Sequence, residues 1–402
     1  MKTTALRLKR IIPGLAIIAC ARGVYATGPT ERILDYSLPY NYCTRSILSN
    51  PALAVYSHDV ALSDIEAGWS ADRLIRKGFF NASSFMPLDK SNASVWGQAG
   101  YENGNQRHGG IVESADYHLV YPYVLADTVG GRMNIERYSF AGGYSHKGKR
   151  VDWGVDLAYT AFLSYRQRDP RPRNVSGSLD INAGIGWHVR GPYIIAASAG
   201  VMKYKQSSSI MFMNETGWPV VYHLTGLGMS YNRFNSLGVN THYNGAQYSL
   251  SVDLLPGRHA GIIASAGLSR LGIDYILKDL NNLPMSNIRH DMMKFTFGYT
   301  SATGGDYIAA SISGNMWRRI GTENIFGDAS ANIYPLIASL RMFNAGGSSI
   351  ALNASGIKRL RKISLTFTAD GRLLRSNYGY LSPKRELGYD AVSLSIIPSI
   401  YY

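Results

Sequence analysis

Between residues 150 and 190 the chain alternates at every second position. Val151, Trp153, Val155, Leu157, Tyr159, Ala161, Leu163 and Tyr165 make one apolar row. Asp152, Gly154, Asp156, Ala158, Thr160, Phe162, Ser164 and Arg166 lie between them. After a turn rich in Arg and Pro, Val175, Gly177, Leu179, Ile181, Ala183, Ile185, Trp187 and Val189 take up the pattern. Asn174, Ser176, Ser178, Asp180, Asn182, Gly184, Gly186 and His188 fill the other face. Successive side chains of a strand face opposite sides, so a period of two predicts two long strands, each with one apolar and one polar face.

A soluble sandwich also alternates. These strands, however, run to about 16 residues, against a usual mode of about 5–6. Aromatics (Trp153, Tyr165, Trp187) stand near the ends of the apolar rows, where a bilayer interface would place them. The expected fold is therefore all-β: a transmembrane antiparallel β-barrel with a polar lumen. A jelly roll or large secreted sandwich is the alternative.

Similar runs occur elsewhere. Early strands are expected at 60–72, 92–104 and 110–124, with 73–91 irregular. Twelve more follow at 132–144, 150–166, 174–189, 193–206, 235–254, 259–275, 289–301, 306–317, 331–343, 348–357, 361–375 and 388–402. The connections alternate too. Short turns at 190–192, 256–258 and 303–305 separate longer loops at 207–234, 276–288 and 318–330. Barrels of bacterial outer membranes have short periplasmic turns and long extracellular loops, so the longer three are expected outside. Fifteen runs is an odd number where an even one is expected. The alternation of turn lengths also breaks after Ala345-Gly346-Gly347, which reads as a short turn. One run is in error, and the expected barrel has about 14 strands, with 16 as the fallback.

Residues 1–26 read as a secretory signal peptide. Lys2, Arg7, Lys9 and Arg10 precede a short apolar stretch at 11–20, and Val24-Tyr25-Ala26 offers small-residue cleavage. A lipoprotein signal ending on Cys20 is the rival reading. Residues 27–59 have no period and are expected to be irregular, in the periplasm or the lumen; 60–402 is the expected barrel. Outside the signal no run reaches the roughly 18 apolar residues of a membrane helix. Mean hydropathy is near neutral, −0.10, as expected when only alternate residues meet lipid. Removing 1–26 lowers the formal charge from +14 to +9 by deleting five cations. That charge suits lipopolysaccharide and water; no basic helix or nucleic-acid motif accompanies it. Cleavage would leave Cys43 alone, which excludes an internal disulfide and paired-Cys metal sites. The last strand ends on an aromatic, with Val392, Leu394, Ile396, Pro398, Ile400 and Tyr402 in alternate positions.

Three stretches, YPYVLADTVGG at 121–131, RYSFAGGY at 137–144 and YRQRDPRPRN at 165–174, resemble an uncharacterised outer-membrane β-barrel family of Bacteroidota, domain-of-unknown-function family 6850. The resemblance is clearest over 121–190 and extends weakly to the C-terminus. It implies a barrel in the outer membrane of a Gram-negative bacterium and brings no catalytic residues. A TonB-dependent receptor as partner, and a role in nutrient or iron uptake, are weaker implications.

No Gly-x-Ser-x-Gly elbow, zinc helix or phosphate loop occurs. The expected function is transport, porin-like or as accessory partner in an uptake assembly. The alternatives are a structural, non-conducting barrel and, third, a barrel hydrolase; an enzyme is not expected, nor a cofactor or metal. Asp152, Asp156, Asp180, Asn182 and His188 are the lumen-facing candidates. They could line an aqueous path or hold a cation, or be neutralised by Arg and Lys from elsewhere. Arg166, Arg168, Arg171 and Arg173 surround Asp169 in the turn between the two strands. They could grip an anion or a partner, or form a rigid loop in which Asp169 caps its own backbone.

Overall fold

In the computed structural model, residues 50–56 and 62–401 are described, apart from 72–74, 89–91, 109–111, 190–191, 215–218, 238, 257–259, 304–305, 331–332 and 361–362. The signal peptide expected at 1–26, with Cys20 and Cys43, lies outside the described residues.

The alternating runs form strands. They begin with β1 (Leu62–Ala71), β2 (Ile75–Leu88), β3 (Ala93–His108) and the short β4 (Val124–Ala126). Next come β5 (Gly131–His146), β6 (Val151–Tyr165), β7 (Arg171–His188) and β8 (Tyr193–Met211). A long connection holds β9 (Tyr222–Gly226) and β10 (Met229–Ser230). The rest are β11 (Thr241–Pro256), β12 (Gly261–Leu277), β13 (Leu283–Thr303), β14 (Asp306–Phe326), β15 (Leu336–Leu360), β16 (Ile363–Tyr380) and β17 (Arg385–Tyr401). All but β4, β9 and β10 belong to one 14-stranded sheet, each paired antiparallel with its neighbours in chain order. No pairing of β1 with β17 occurs among the described residues, and the sheet is open along that edge.

The count of 14 agrees with expectation, but three runs differ. The described part of the stretch 110–124, residues 112–124, forms no wall strand; it enters the interior. The stretch 73–91, read as irregular, holds β2, whose faces mix apolar and polar residues (Phe79, Phe80, Asn81, Ala82) and hide the period. The runs 331–343 and 348–357 are a single strand, β15, of 25 residues. Gly346 and Gly347 are not a turn. A Cβ at Gly347 would sit 2.9 Å from the Trp317 indole and 2.6 Å from the Arg375 carbonyl oxygen. The missing side chain makes room for Trp317, not for a reversal of the chain.

Connections fall alternately at two ends. One end carries the brief links β2–β3, β5–β6, β7–β8, β11–β12, β13–β14 and β15–β16; the start of β1 and the end of β17 lie there too. The other carries the connections β1–β2, β3–β5 (with 112–130), β6–β7 (166–170), β8–β11, β12–β13 (278–282), β14–β15 and β16–β17 (381–384). The three loops expected to share a side do so, although β12, β13 and β14 run through most of 276–288 and 318–326.

The sheet curls so that one face encloses residues and the other looks out. On β6 and β7 the outward row includes Val155, Leu157, Ile181 and Ile185, all exposed. The pattern continues round the sheet: Leu250, Phe297 and Leu352 are 63%, 55% and 61% exposed. Outward aromatics pair across neighbouring strands: Tyr144 and Trp153 at 5.2 Å near the short-connection end, and Tyr101 and Tyr138 at 4.9 Å near mid-strand.

Towards the short-connection end, a 3-10 helix (Pro51–Tyr56) sits inside, within the stretch expected to be irregular. Its Leu53 is buried with Ile194, Leu255, Ile263, Ala309 and Ile357. Asn50 donates to the Asp253 carboxylate at 3.1 Å.

Adding a methyl at Gly347 overpacks the Trp317 contact. Gly347→Ala should cost about 1–3 kcal/mol, read from urea or thermal unfolding. Trp317→Ala in that background should recover only part, because the Arg375 carbonyl still blocks the methyl. Unchanged stability in Gly347→Ala would refute this account of the glycine pair.

Candidate functional site

The polar face of β6 and β7 meets a segment of the chain's own making. Residues 112–130 leave the end of β3, turn inside the sheet, and return to β5. They hold one helical turn, α1 (Tyr117–Val120), and then β4. β4 pairs with β9, and β9 with β10, so this insert and the 212–240 connection build a three-stranded sheet inside the large one.

Burial of aromatic surface packs the inserts against the wall. Val120, Tyr123 and Val124 of the first insert and Phe234 of the second share a buried cluster with Tyr243, Ile273, Tyr275, Met285 and Phe326. Polar groups then fix the position. The Tyr243 hydroxyl donates to the Tyr123 carbonyl at 3.0 Å. Arg319 on β14 donates to the carbonyls of His118 and Tyr121 at 2.8 and 2.9 Å. On the other insert, His223 bonds the Tyr275 hydroxyl at 2.6 Å through Nδ1 and the Leu237 carbonyl at 2.7 Å through Nε2. Burial lowers the His223 pKa to about 4. A neutral ring then donates from Nε2 and accepts at Nδ1, a tautomer assigned from its partners.

The centre of the site is Arg166, 7% exposed. Its Nη1 donates to Glu113 Oε1 and its Nη2 to Asp127 Oδ2, each at 2.7 Å. Its Nε donates to the carbonyls of Pro170, at 2.8 Å, and Arg168, at 3.3 Å. Asp127 Oδ1 accepts the N–H groups of Val129 and Gly130 at 2.7 Å each. Gly130 and Gly131 follow at φ of 62° and 137°, a backbone region that favours glycine. Next to this knot, Asn174 donates to the Glu113 carbonyl at 2.7 Å.

Two carboxyls share one guanidinium here, and they do not ionise alike. Burial pushes Glu113 up to about 8, the adjacent Asp127 adds to the rise, and Arg166 opposes it. Burial also works against the Asp127 carboxylate, yet the Gly130 N–H, Glu113, Arg166 and the Val129 N–H together hold it below its usual range. Glu113 Oε2 has no donor partner in the structure; a proton held there can bond to Asp127. At neutral pH the triad is one cation, one carboxylate and one carboxylic acid.

The candidates from the sequence divide among different roles. Asp152 is fully buried; its carboxylate bonds His188 Nε2 at 2.9–3.0 Å and accepts the Gly148 N–H at 3.0 Å. Asn182 donates to Asp156 at 2.7 Å across the same interior face. Asp180, on that face too, has no ion pair among the described residues. Of the turn, Arg166 points inward, while Arg168 and Arg173 are exposed. Arg171 pairs with Asp169 at 2.7 Å. Asp169 does not cap its own loop: its other oxygen accepts the N–H groups of Met213 and Asn214, tying the turn to the second insert. The site does not join these ten residues into one constellation. It adds Glu113 and Asp127, which sequence reasoning missed. The signal for Asp127 was present, since Asp followed by Gly130-Gly131 is a turn signature.

Beside α1 lies a cavity of about 680 Å³. Asp116, Tyr117, His118, Arg137, Phe162 and Met202 are among its walls. Asp116 accepts the hydroxyls of Ser176 and Tyr204 at 2.7 and 2.9 Å, and the Arg137 guanidinium lies 4.8 Å over the Phe162 ring. Among the described residues no group of three or more His, Cys, Asp or Glu could hold a metal ion.

Fold and site thus define an all-β protein whose large antiparallel sheet surrounds inserts from its own chain. The chain belongs to the family of unknown function DUF6850, whose model matches residues 72–400. The match runs well beyond 121–190, where the resemblance is clearest in sequence. No protein of curated function matches. Among solved structures, the unliganded ferric citrate transporter FecA is similar at 9% identity and a TM-score of 0.36, covering 84% of this chain and 65% of that one. The alcaligin outer-membrane receptor FauA from Bordetella pertussis gives 10% and 0.33, covering 84% and 57%. The ferric preacinetobactin receptor BauA from Acinetobacter baumannii gives 7% and 0.38, covering 83% and 70%. This chain therefore spans less than two-thirds of the first two. With TM-scores below 0.5, none of these likenesses bears on strand number or activity.

The triad makes anchoring of the insert depend on pH. Glu113 has a raised pKa in the folded protein, so its contribution is complete below about 4.5 and is lost as pH rises through about 8. Amide exchange at 113–126, corrected for the intrinsic rate, should accelerate between about pH 5 and pH 8 and level off above. Glu113→Gln should flatten that dependence. Arg166→Ala should loosen the insert at every pH, by about 3–5 kcal/mol, because it strands a buried carboxylate. Exchange that is independent of pH in the native protein would overturn the proton assignment.

Proposed function

We propose that the protein is an outer-membrane β-barrel whose lumen is plugged by its own inserts and does not conduct in this state. The observation that carries the reading is the outward face. The apolar rows on the outer side of most wall strands have no partner among the described residues, and hydrocarbon is the solvent that such a face suits. Outward apolar stretches such as Met293, Phe295, Phe297 and Tyr299 on β13 approach the roughly 9–11 residues a tilted strand needs to cross. In lipid an open sheet edge is costly, so the proposal includes closure of β1 on β17.

The interior favours a plug over an open pore. Arg166, Arg319, Tyr243 and His223 each bond an insert to the wall or to the other insert. The cavity beside α1 supports a second reading, in which a solute is admitted when the insert moves. Neither reading calls for a catalytic step, and we propose no enzyme activity. A TonB-dependent receptor as partner belongs to the same proposal; co-purification from solubilised membranes tests it.

Planar bilayers should stay silent with the native protein and show discrete steps when 112–130 is replaced by a short Gly-Ser linker. Steps from the native protein would reject the plug in favour of an open channel. The membrane reading has its own test. Leu157→Arg, on the outward face, should cost roughly 2–4 kcal/mol near the midplane and reduce the heat-modifiable folded band. Asp156→Arg, on the inner face, should largely spare it. Equal tolerance, or the reverse order, would reject the lipid-facing assignment.

A further inference from the structure

The outward apolar rows end in charge on the side of the long connections. Lys203 and Lys205 stand there on β8, Arg270 on β12, Arg289 and Asp291 on β13, Arg318 on β14 and Arg375 on β16. Pairing sets several of them in one line. Tyr248 is opposite Arg270, Arg270 opposite Asp291, Asp291 opposite Arg318, and Arg318 opposite Gly346.

A groove of about 860 Å³ crosses the outer face at this border. Leu250, Leu268, Met293 and Met316 form its apolar part, continuous with the rows below. Arg270, Arg318 and Arg375 stand on its polar rim. The depression arises on β15, where Gly346 and Ser348 put little side chain between Met316 and Arg318 on one side and Arg375 on the other. Charge at the rim is unbalanced. Asp291 bonds Arg270 at 2.6 Å and Arg289 at 2.8 Å. Asp390 lies 3.7 Å from Arg375, with both side chains mostly exposed. Arg318 has no ion pair among the described residues. Four guanidiniums therefore face two carboxylates.

We propose that this groove holds a phosphorylated lipid from the leaflet on the long-connection side. The phosphate would sit among Arg270, Arg318 and Arg375, and an acyl chain over Leu268, Met293 and Met316. The inference rests on the membrane reading above. Guanidinium groups suit phosphate because they present paired donors in a plane. The apolar part suits a chain and not a free ion. A second copy docked by a two-fold axis would bring the same surplus of arginine against this one, which disfavours it.

Native mass spectrometry of the detergent-purified protein tests the idea, with phosphatidylglycerol and phosphatidylcholine as probes. Phosphatidylglycerol should be retained in preference. The triple substitution Arg270→Ala, Arg318→Ala, Arg375→Ala should cut that retention by about tenfold or more. Lys203→Ala with Lys205→Ala, away from the groove, should change it by less than about twofold. Added inorganic phosphate should not strip the lipid. Equal retention of the two lipids, equal retention by the triple variant, displacement by inorganic phosphate, or a dimer in place of a lipid adduct would each overturn the proposal. If the triple variant does not fold, Arg318→Gln alone serves, since it breaks no ion pair; undiminished retention there is equally adverse. Heat-modifiable migration separates the two levels. Native protein that never folds into bilayers defeats the membrane reading and this inference together. A folded barrel with unselective lipid retention defeats only the inference.

Discussion

Everything in this protein depends on a backbone ladder that leaves side chains free to face two solvents. Each wall strand from β2 to β16 is paired on both sides by the strands next to it in the chain. Its N–H and C=O groups are therefore satisfied without help from water, while a period of two sends alternate side chains out and in. A helix would pair its backbone as well, but would not separate the faces so widely with so few apolar residues. Charged residues at only 17% and a near-neutral mean hydropathy of −0.10 agree with this economy.

The enclosed face creates the second problem. A polar wall needs polar partners, and the chain supplies them from its own connections. Arg166 illustrates the balance. A buried guanidinium is costly unless its donors are satisfied and its charge is met. Glu113, Asp127 and the carbonyls of Pro170 and Arg168 satisfy them. A second full negative charge would leave the pocket anionic, and Glu113 avoids this by keeping a proton. The insert is held by a neutral triad, while Tyr243 and Arg319 hold its backbone from the opposite wall. Close approach also shapes the wall: a side chain on Gly321 would run into the Tyr123 ring.

Much of the wall was legible because alternation is local. Residues 151–165 and 171–188 can be read without knowing what lies beside them. The misreadings have local causes as well. Ala345-Gly346-Gly347 carries the composition of a turn, and only the Trp317 indole on the neighbouring strand explains why it is extended. β2 mixes Phe, Asn and Ser on both faces, so its period is weak. The site was less legible than the fold. Arg166 was singled out as one cation of a basic turn, but its partners are 39 and 53 residues away. No spacing rule predicts that meeting, because the insert that brings Glu113 and Asp127 inside is positioned by aromatic packing against strands still further along the chain.

The open seam is where these arguments converge. An even number of antiparallel strands places the first and last in opposite directions, so β1 and β17 can pair as all other neighbours do. β17 is exposed on both faces over nearly its whole length, although Val392, Leu394 and Ile396 continue the outward apolar row. An edge of this length in lipid would leave a column of unpaired N–H and C=O groups, each costing several kcal/mol. β1 is 10 residues against 17 in β17, close to the roughly 9–11 needed to cross the hydrocarbon. In the proposed membrane setting the shorter strand can therefore close the part of the seam that would lie in lipid, and leave the rest of β17 where water can serve its backbone.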